Sequence, residues 1–453
     1  MNGKQEPEIS YSDDGRHVIL LRDRVDETIL RSHAFMSTNW RRIPPPASVL
    51  FTHEPDFHST FGVDVPCITV LFARSSTFMT RQHPISRPAQ DIPFHRLSNC
   101  QPGQPQHHQA LDLGKMEFDK LEANDPRVTS DTASIRGKTY HYLRADPETE
   151  PLATIFLIHG FPDLGFGWRY QIPHFASLGY QVVAPDLLGF GDTAAPDQPS
   201  QYALKSIAED IKELAKVIAK DKKIILGGHD LGGAVVWRTA MWFPSLVQGV
   251  FSVGNPFIPP SSVFLSPDDA ARNKSLVSSR YQVQFRGTEI EDEIRDEEKV
   301  RQFLNAMFGG TSPEGEVGFS VTEGVLFGNL PTLGQSRLIS DDDLDHYTSK
   351  YFRKGEPRLK GPLNWYRTHA HNYFDELQLL LKPIKFSMPA LFLAATRDEE
   401  LPPSMSDGMD QYFEDLTRGE VEASHWALWE SPAEVNKQVS AWLKVLRRDA
   451  QQT

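Results

Sequence analysis

The chain has 453 residues, a formal net charge of −13 and two cysteines, Cys67 and Cys100. That length allows roughly three domains at ~150 residues each, or one large α/β enzyme with ample core, while the acidic balance argues against a nucleic-acid partner. Two cysteines support neither a disulfide framework nor a cysteine metal site; no apolar run is long enough to span a bilayer and the N-terminus lacks an apolar leader, so a cytoplasmic location is expected.

Residues 1–115 read differently from the rest. Turn-formers and basic residues are scattered through them, as in Arg41-Arg42-Ile43-Pro44-Pro45-Pro46, and sustained periodicity is missing. The expectation is a poorly ordered extension, with unpaired short strands at 18–21 and 67–72 and a solvated His107-His108 pair. Order-like patterning begins just after Met116. Met116 is therefore the expected initiator of the native chain, and tryptic peptides from residues 2–115 of the natural protein would contradict this.

From residue 128 the pattern sharpens. Residues 128–135 and 139–144 flank Arg136-Gly137-Lys138 as a hairpin. Residues 154–158 and 181–185 read as buried strands. Residues 203–220 place Leu204, Ile207, Ala208, Ile211, Leu214, Ala215 and Ile218 on one helical face. A strand at 224–226 is followed by a helix over 234–243, stopped by Pro244. Strands at 247–253 and 390–395 and a closing helix at 432–446 complete the alternation, which predicts an α/β fold with a mostly parallel sheet. Between 253 and 390 the alternation stops, with helices expected near 292–308 and 365–381. This inserted stretch reads as a helical cap over the C-terminal edge of the sheet. The predicted division is a core of residues 116–255 and 386–453 and a cap of residues 256–385. The run Glu289-Ile290-Glu291-Asp292-Glu293, with Arg295, Lys299 and Arg301 after it, reads as a solvated helix face.

Gly228-His229-Asp230-Leu231-Gly232 lies where the strand at 224–226 turns into the next helix. Such a turn strains its central residue, and small neighbours leave room for it. The arrangement resembles the nucleophile elbow of the α/β-hydrolase fold, with Asp in place of the commoner Ser. An aspartate needs no base to ionise it, so the first intermediate should be an ester. No phosphate-loop Lys-Ser/Thr pair and no G-x-G-x-x-G is present. The loop His159-Gly160-Phe161-Pro162 follows an earlier strand, at the position that supplies one oxyanion-hole N–H; Phe161 is the expected donor and Leu231 the second. An acid and then a histidine should follow in chain order. Asp398, in Arg397-Asp398-Glu399-Glu400, is preferred to Glu399, and His425 would activate water. Two cap tyrosines, Tyr281 and Tyr366, could hydrogen-bond an ether oxygen and protonate a leaving alkoxide, which suits epoxide opening.

His159-Gly160-Phe161-Pro162, Gly228-His229-Asp230, Tyr281-Gln282, Gly361-Pro362-Leu363-Asn364-Trp365-Tyr366-Arg367 and Ser424-His425-Trp426 occur in this order. The stretch 128–446 thereby resembles the soluble epoxide hydrolases of the α/β-hydrolase superfamily. The resemblance implies Asp230, Asp398 and His425 as triad, Phe161 and Leu231 as oxyanion hole, and Tyr281 and Tyr366 as epoxide activators. It further implies His159, Gly160, Pro162 and Trp365 against the substrate, a small apolar epoxide and water as partners, and no metal or organic cofactor. It is also compatible with a homodimer. Two positions depart from the family, Leu231 where Trp is common and Gln284 where an aromatic is common; both bear on substrate range. Residues 1–127 lie outside the resemblance and do not look like the phosphatase domain of some vertebrate members. The rivals are a haloalkane dehalogenase on the same scaffold, a non-catalytic ligand-binding protein of this fold, and an ester hydrolase, which the aspartate at the elbow disfavours.

Overall fold

The computed structural model describes residues 119–272 and 280–450; the expectations for residues 1–115 and for Met116 lie outside them. Eight strands form one sheet: β1 Thr129–Ile135, β2 Lys138–Ala145, β3 Thr154–Ile158, β4 Gln181–Pro185, β5 Ile224–His229, β6 Val247–Val253, β7 Ala390–Ala395 and β8 Leu416–Val421, in the order β1-β2-β4-β3-β5-β6-β7-β8. β1 pairs with β2, and β2 with β4, antiparallel; the remaining pairs are parallel. The central strands are buried along nearly their whole length because helices cover both faces. Side chains such as Ile155, Phe156, Leu157 and Ile158 are fully buried. Each contributes about 1.5–3 kcal/mol by leaving water.

The helices on the sheet follow their patterns closely. α1 spans Ile172–Ser177 and α2 spans Leu204–Ala219. α2 buries Ile207, Ala208, Ile211, Leu214 and Ala215. It also buries Asp210, which accepts from Tyr140 Oη at 2.7 Å and pairs with Arg136 at 2.8 Å and Lys138 at 2.6 Å, fixing the β1–β2 hairpin to the helix. α3, Leu231–Trp242, begins three residues earlier than its apolar pattern predicts, directly at the elbow. β8 has no counterpart in the predicted elements. Its Leu416-Thr417-Arg418-Gly419-Glu420-Val421 is polar because it is the sheet edge, so neither alternation nor an apolar run marks it. The closing helix runs Pro432–Ala450.

The segment between β6 and β7 carries short helices: α4 Tyr281–Arg286, α5 Glu297–Met307, α6 Asp341–Tyr351, α7 Lys360–Asn364 and α8 His369–Glu376. The helix predicted over 292–308 is broken. Ile294 leaves helical geometry to become buried, and Asp296 caps α5 by accepting from Lys299 N at 2.8 Å. The helix predicted over 365–381 is likewise three pieces, with a 3-10 turn at Trp365–Arg367, then α8, then a 3-10 turn at Leu377–Leu381. Part of the acidic run also departs from a solvated face: Ile290 is buried, and Glu291 pairs with Arg367 at 2.5 Å, tying the short helix Glu289–Glu293 to the Trp365–Arg367 turn. Among the described residues no helix is long and apolar enough to cross a membrane.

Candidate active site

The site is assembled at the C-terminal ends of β3, β5, β7 and β8. β5 turns into α3 through Asp230, whose φ of 52° and ψ of −126° lie outside the regions an L-residue favours. Such a conformation costs about 1–3 kcal/mol and persists only where its surroundings impose it. Here the surroundings are glycine contacts. A Cβ on Gly232 would stand 2.0 Å from Ile158 O, one on Gly228 2.4 Å from Gly232 O, and one on Gly160 2.1 Å from Asp230 Oδ1. Asn255 Nδ2 donates to Asp230 O at 2.7 Å and fixes the turn from the end of β6.

Phe161 N–H donates to Asp230 Oδ1 at 2.8 Å. Leu231 is the first residue of α3, so its N–H has no intrahelical acceptor. The loop carrying Phe161 is fixed by His159, which is fully buried. Its Nδ1 donates to Gly160 O at 2.7 Å and its Nε2 accepts from Leu187 N at 2.9 Å. Burial pushes its pKa down to about 4, so it is neutral. With both nitrogens engaged in the main chain, His159 holds the loop that carries Phe161. Trp365 is held in the same way: its indole N–H donates to Leu188 O at 2.9 Å, and its ring packs against Phe190 and Tyr202. Pro162 adjoins Phe161 in the same loop.

His425 Nδ1 donates to Asp398 Oδ2 at 3.1 Å, and its Nε2 lies 3.8 Å from Asp230 Oδ2. Asp398 follows β7 by three residues, and its Oδ1 accepts from the N–H groups of Glu400 and Leu401, both at 2.9 Å. Burial alone would raise its pKa, but His425 and the Leu401 N–H outweigh burial and hold it below the usual carboxylate range. Glu399, the rival acid, is exposed. Burial would lower the pKa of His425; the carboxylates of Asp398, Glu400 and Asp230 overcome this and hold it well above the ordinary value. The His425 loop is anchored by His229, whose Nε2 donates to His425 O at 2.8 Å, and by Ser424 N, which donates to Glu430 Oε2 at 2.9 Å.

Tyr281 opens α4 and Tyr366 sits in the Trp365–Arg367 turn, with ring centroids 5.9 Å apart. Tyr366 meets Phe161 edge-on at 5.3 Å, which places it over the oxyanion loop. Burial and then the nearby carboxylates raise both phenol pKa values well above 10, so both rings keep their protons. Gln284 faces elsewhere: its amide accepts from Val325 N at 2.7 Å and donates to Val325 O at 3.2 Å, bracing the inserted segment.

Two acids were not singled out from the sequence. Glu400 Oε1 accepts from Tyr281 Oη, and its Oε2 lies 3.9 Å from His425 Nε2. Asp163, fully buried behind the Phe161 loop, accepts from Tyr347 Oη at 2.5 Å and Leu164 N at 2.7 Å. Burial pushes Asp163 up to about 7. Glu400 stands two residues after Asp398 and Asp163 directly after Pro162, and that adjacency is the only signal the sequence carries for either.

A strained aspartate at a strand–helix turn, an N–H aimed at it and an acid–histidine pair beside it define an α/β-hydrolase. The family model for the alpha/beta hydrolase fold matches residues 153–432. The chain is 39% identical over 344 residues to epoxide hydrolase srdG of Neurospora crassa, covering 73% of this chain and 99% of that protein. It is 32% identical over 294 residues to bifunctional epoxide hydrolase 2 of Rattus norvegicus, and there it spans 51% of the relative's length. Among solved structures, epoxide hydrolase A from Mycobacterium thermoresistibile superposes with a TM-score of 0.57 at 27% identity, over 70% of this chain and 98% of that one. This chain belongs to the α/β-hydrolase fold family, on its epoxide hydrolase branch.

Proposed function

We propose that this protein hydrolyses an epoxide to a vicinal diol, with Asp230 as nucleophile. The observation that carries the reading is the Asp230 carboxylate itself. It is held by Phe161 N–H at the elbow and lies within electrostatic reach of two neutral phenols. An Asp230 oxygen attacks an oxirane carbon, the C–O bond breaks, and the phenols of Tyr281 and Tyr366 stabilise and protonate the alkoxide. In the ester, negative charge on Asp230 is gone. His425 Nε2 then takes a proton from water, whose oxygen attacks the ester carbonyl. The oxyanion forms where Phe161 N–H already points, with Leu231 N–H as second donor. Asp398 holds the imidazole so that Nδ1 keeps its proton and Nε2 is the base.

Residues 116–255 and 386–453 are read as the catalytic core and 256–385 as the cap that brings the tyrosines. No feature favours the dehalogenase reading: the residue after the nucleophile, Leu231, has no side-chain donor for a halide. A cytoplasmic enzyme is the expected setting and a homodimer is compatible with it; fractionation and light scattering test these two points. For the chemistry, Asp230→Ala and Asp230→Asn are assayed with styrene oxide. Loss of diol in the Ala variant supports the assignment. Turnover at the wild-type rate in either variant, once slow Asn deamidation is accounted for, refutes it.

A further inference from the structure

The chemistry above leaves a proton to be traced. Opening an epoxide consumes one at the alkoxide, and hydrolysing the aspartyl ester releases one, because the product acid is ionised. Tyr281 cannot give its proton freely in the observed arrangement, since its O–H is donated to Glu400. Glu400 comes two residues after Asp398, and its own N–H donates to Asp398 Oδ1, which turns the side chain inward; that side chain is only 13% exposed. Atoms of Asp230, Glu400 and His425 all lie within 4.8 Å of one another. Thus one carboxylate touches the phenol that must lose a proton and stands beside the imidazole that must dispose of one.

We propose that Glu400 is a positioning residue that supplies a proton through Tyr281 in the first half-reaction and receives one from His425 in the second. The inference rests on the ester mechanism given above. With Glu400 protonated, its O–H donates to the Tyr281 oxygen, and the phenol O–H is released toward the epoxide oxygen. As an Asp230 oxygen bonds to carbon and the C–O bond breaks, the alkoxide takes the Tyr281 proton and Tyr281 takes that of Glu400. Glu400 is left ionised. In the second half, the imidazolium of His425 first gives its Nε2 proton to ionised Glu400 Oε2, across the 3.9 Å separation; water then gives a proton to His425 Nε2 and its oxygen bonds to the ester carbonyl. Collapse releases the diol oxygen, which His425 reprotonates. The proton remaining on the Asp230 acid passes to His425 Nε2, 3.8 Å away, restoring the Asp230 carboxylate, the imidazolium and the protonated Glu400 of the start. Atoms and charge balance to epoxide plus water giving diol, and no outside acid is required.

The groups facing Glu400 agree with this. From the elbow comes Asp230, from the loop after β8 His425, from its own loop Asp398, and from α4 Tyr281 with Tyr366 behind it. Burial, reinforced by Asp230 and opposed by His425, pushes Glu400 up to about 7, so both of its forms are populated near neutrality.

The test measures ester formation directly, by acid quench and intact mass in a single turnover with styrene oxide, from about pH 5.5 to about pH 9. The wild-type rate should fall on the alkaline side of about 7. Glu400→Gln keeps a hydrogen-bonding amide but has no acid proton; it should form ester about 10²-fold more slowly at about pH 6, with no alkaline limb. Glu400→Asp should restore a limb. A purely structural role would lower rates without removing the limb. Ester in the wild type with a flat profile overturns this inference alone, as does a Glu400→Gln variant with the wild-type rate and limb. Absence of any ester in the wild type overturns the nucleophile assignment and this inference together. Should Glu400→Gln fail to fold, the wild-type profile decides.

Discussion

Asp398→Asn separates the two half-reactions. Asp398 Oδ1 accepts two backbone N–H groups at 2.9 Å, so an Asn carbonyl oxygen will occupy that position and its NH2 will face His425 Nδ1. That NH2 donates, which moves the imidazole proton to Nε2, the atom that must accept one from water. The fold keeps its hydrogen bonds while the base is lost. An analogous acid-to-amide change in a serine triad lowers turnover about 10⁴-fold, and a loss of 10³–10⁴ corresponds to roughly 4–5 kcal/mol of barrier. Attack by Asp230 needs no base, so alkylation should slow by less than about tenfold. Rapid-quench intact mass should therefore find the aspartyl ester accumulating to near one per chain, with diol release nearly stopped. Steady-state turnover within about tenfold of wild type would refute the reasoning. Equal slowing of ester formation and of diol release would refute it too, since Asp398 would then act on more than water activation.

Gly232→Ala should destabilise the fold beyond the roughly 1–3 kcal/mol of ordinary overpacking, because its Cβ would stand 2.0 Å from a backbone oxygen that cannot rotate away. The control is Gly328→Ala, where no atom lies within 4 Å; thermal melts should show it within about 0.5 kcal/mol of wild type. The buried pair of His141 and Asp186, 2.7 Å apart, makes a pH-dependent contribution. Burial opposes both charges, but the pairing wins, lowering Asp186 to about 2 and raising His141 above its ordinary value. The Asp186 part is present above the ordinary carboxylate pKa and is lost as pH falls toward about 2. The His141 part is present below the ordinary imidazole pKa and is lost as pH rises through its raised value. Urea denaturation should find Asp186→Asn less stable than wild type by roughly 3–5 kcal/mol near pH 5, with a smaller gap near pH 9; a gap of constant size would contradict the assignment.

Much of the molecule was legible locally. Strand, tight turn and helix around Asp230 leave a mark within a few residues, because a strained carboxylate needs small neighbours and a buried parallel strand needs an unbroken apolar run. The same holds for Phe161 and Asp398, each just after a predicted strand; His425 is marked instead by its place before the closing helix and by the chain order the fold requires. Elements that answer to distant partners left no such mark. The edge strand β8 reads as polar because one side of it has no neighbour strand, and the helices expected over 292–308 and 365–381 are interrupted where burial of Ile294 and the Arg367–Glu291 pair bend the chain. His159 and Trp365 look like ligand contacts in their motifs, yet their polar atoms are taken by the main chain of Gly160, Leu187 and Leu188. Glu400 is the sharpest case. In the linear order it is one of two glutamates after an aspartate, indistinguishable from a solvated acid. Its phenol partner is 119 positions away and its imidazole neighbour is on another strand end, so only folding makes it a group inside the site. Local steric and hydrophobic constraints are written in neighbouring residues, whereas a pKa and a hydrogen-bond partner belong to whatever the folded chain brings alongside.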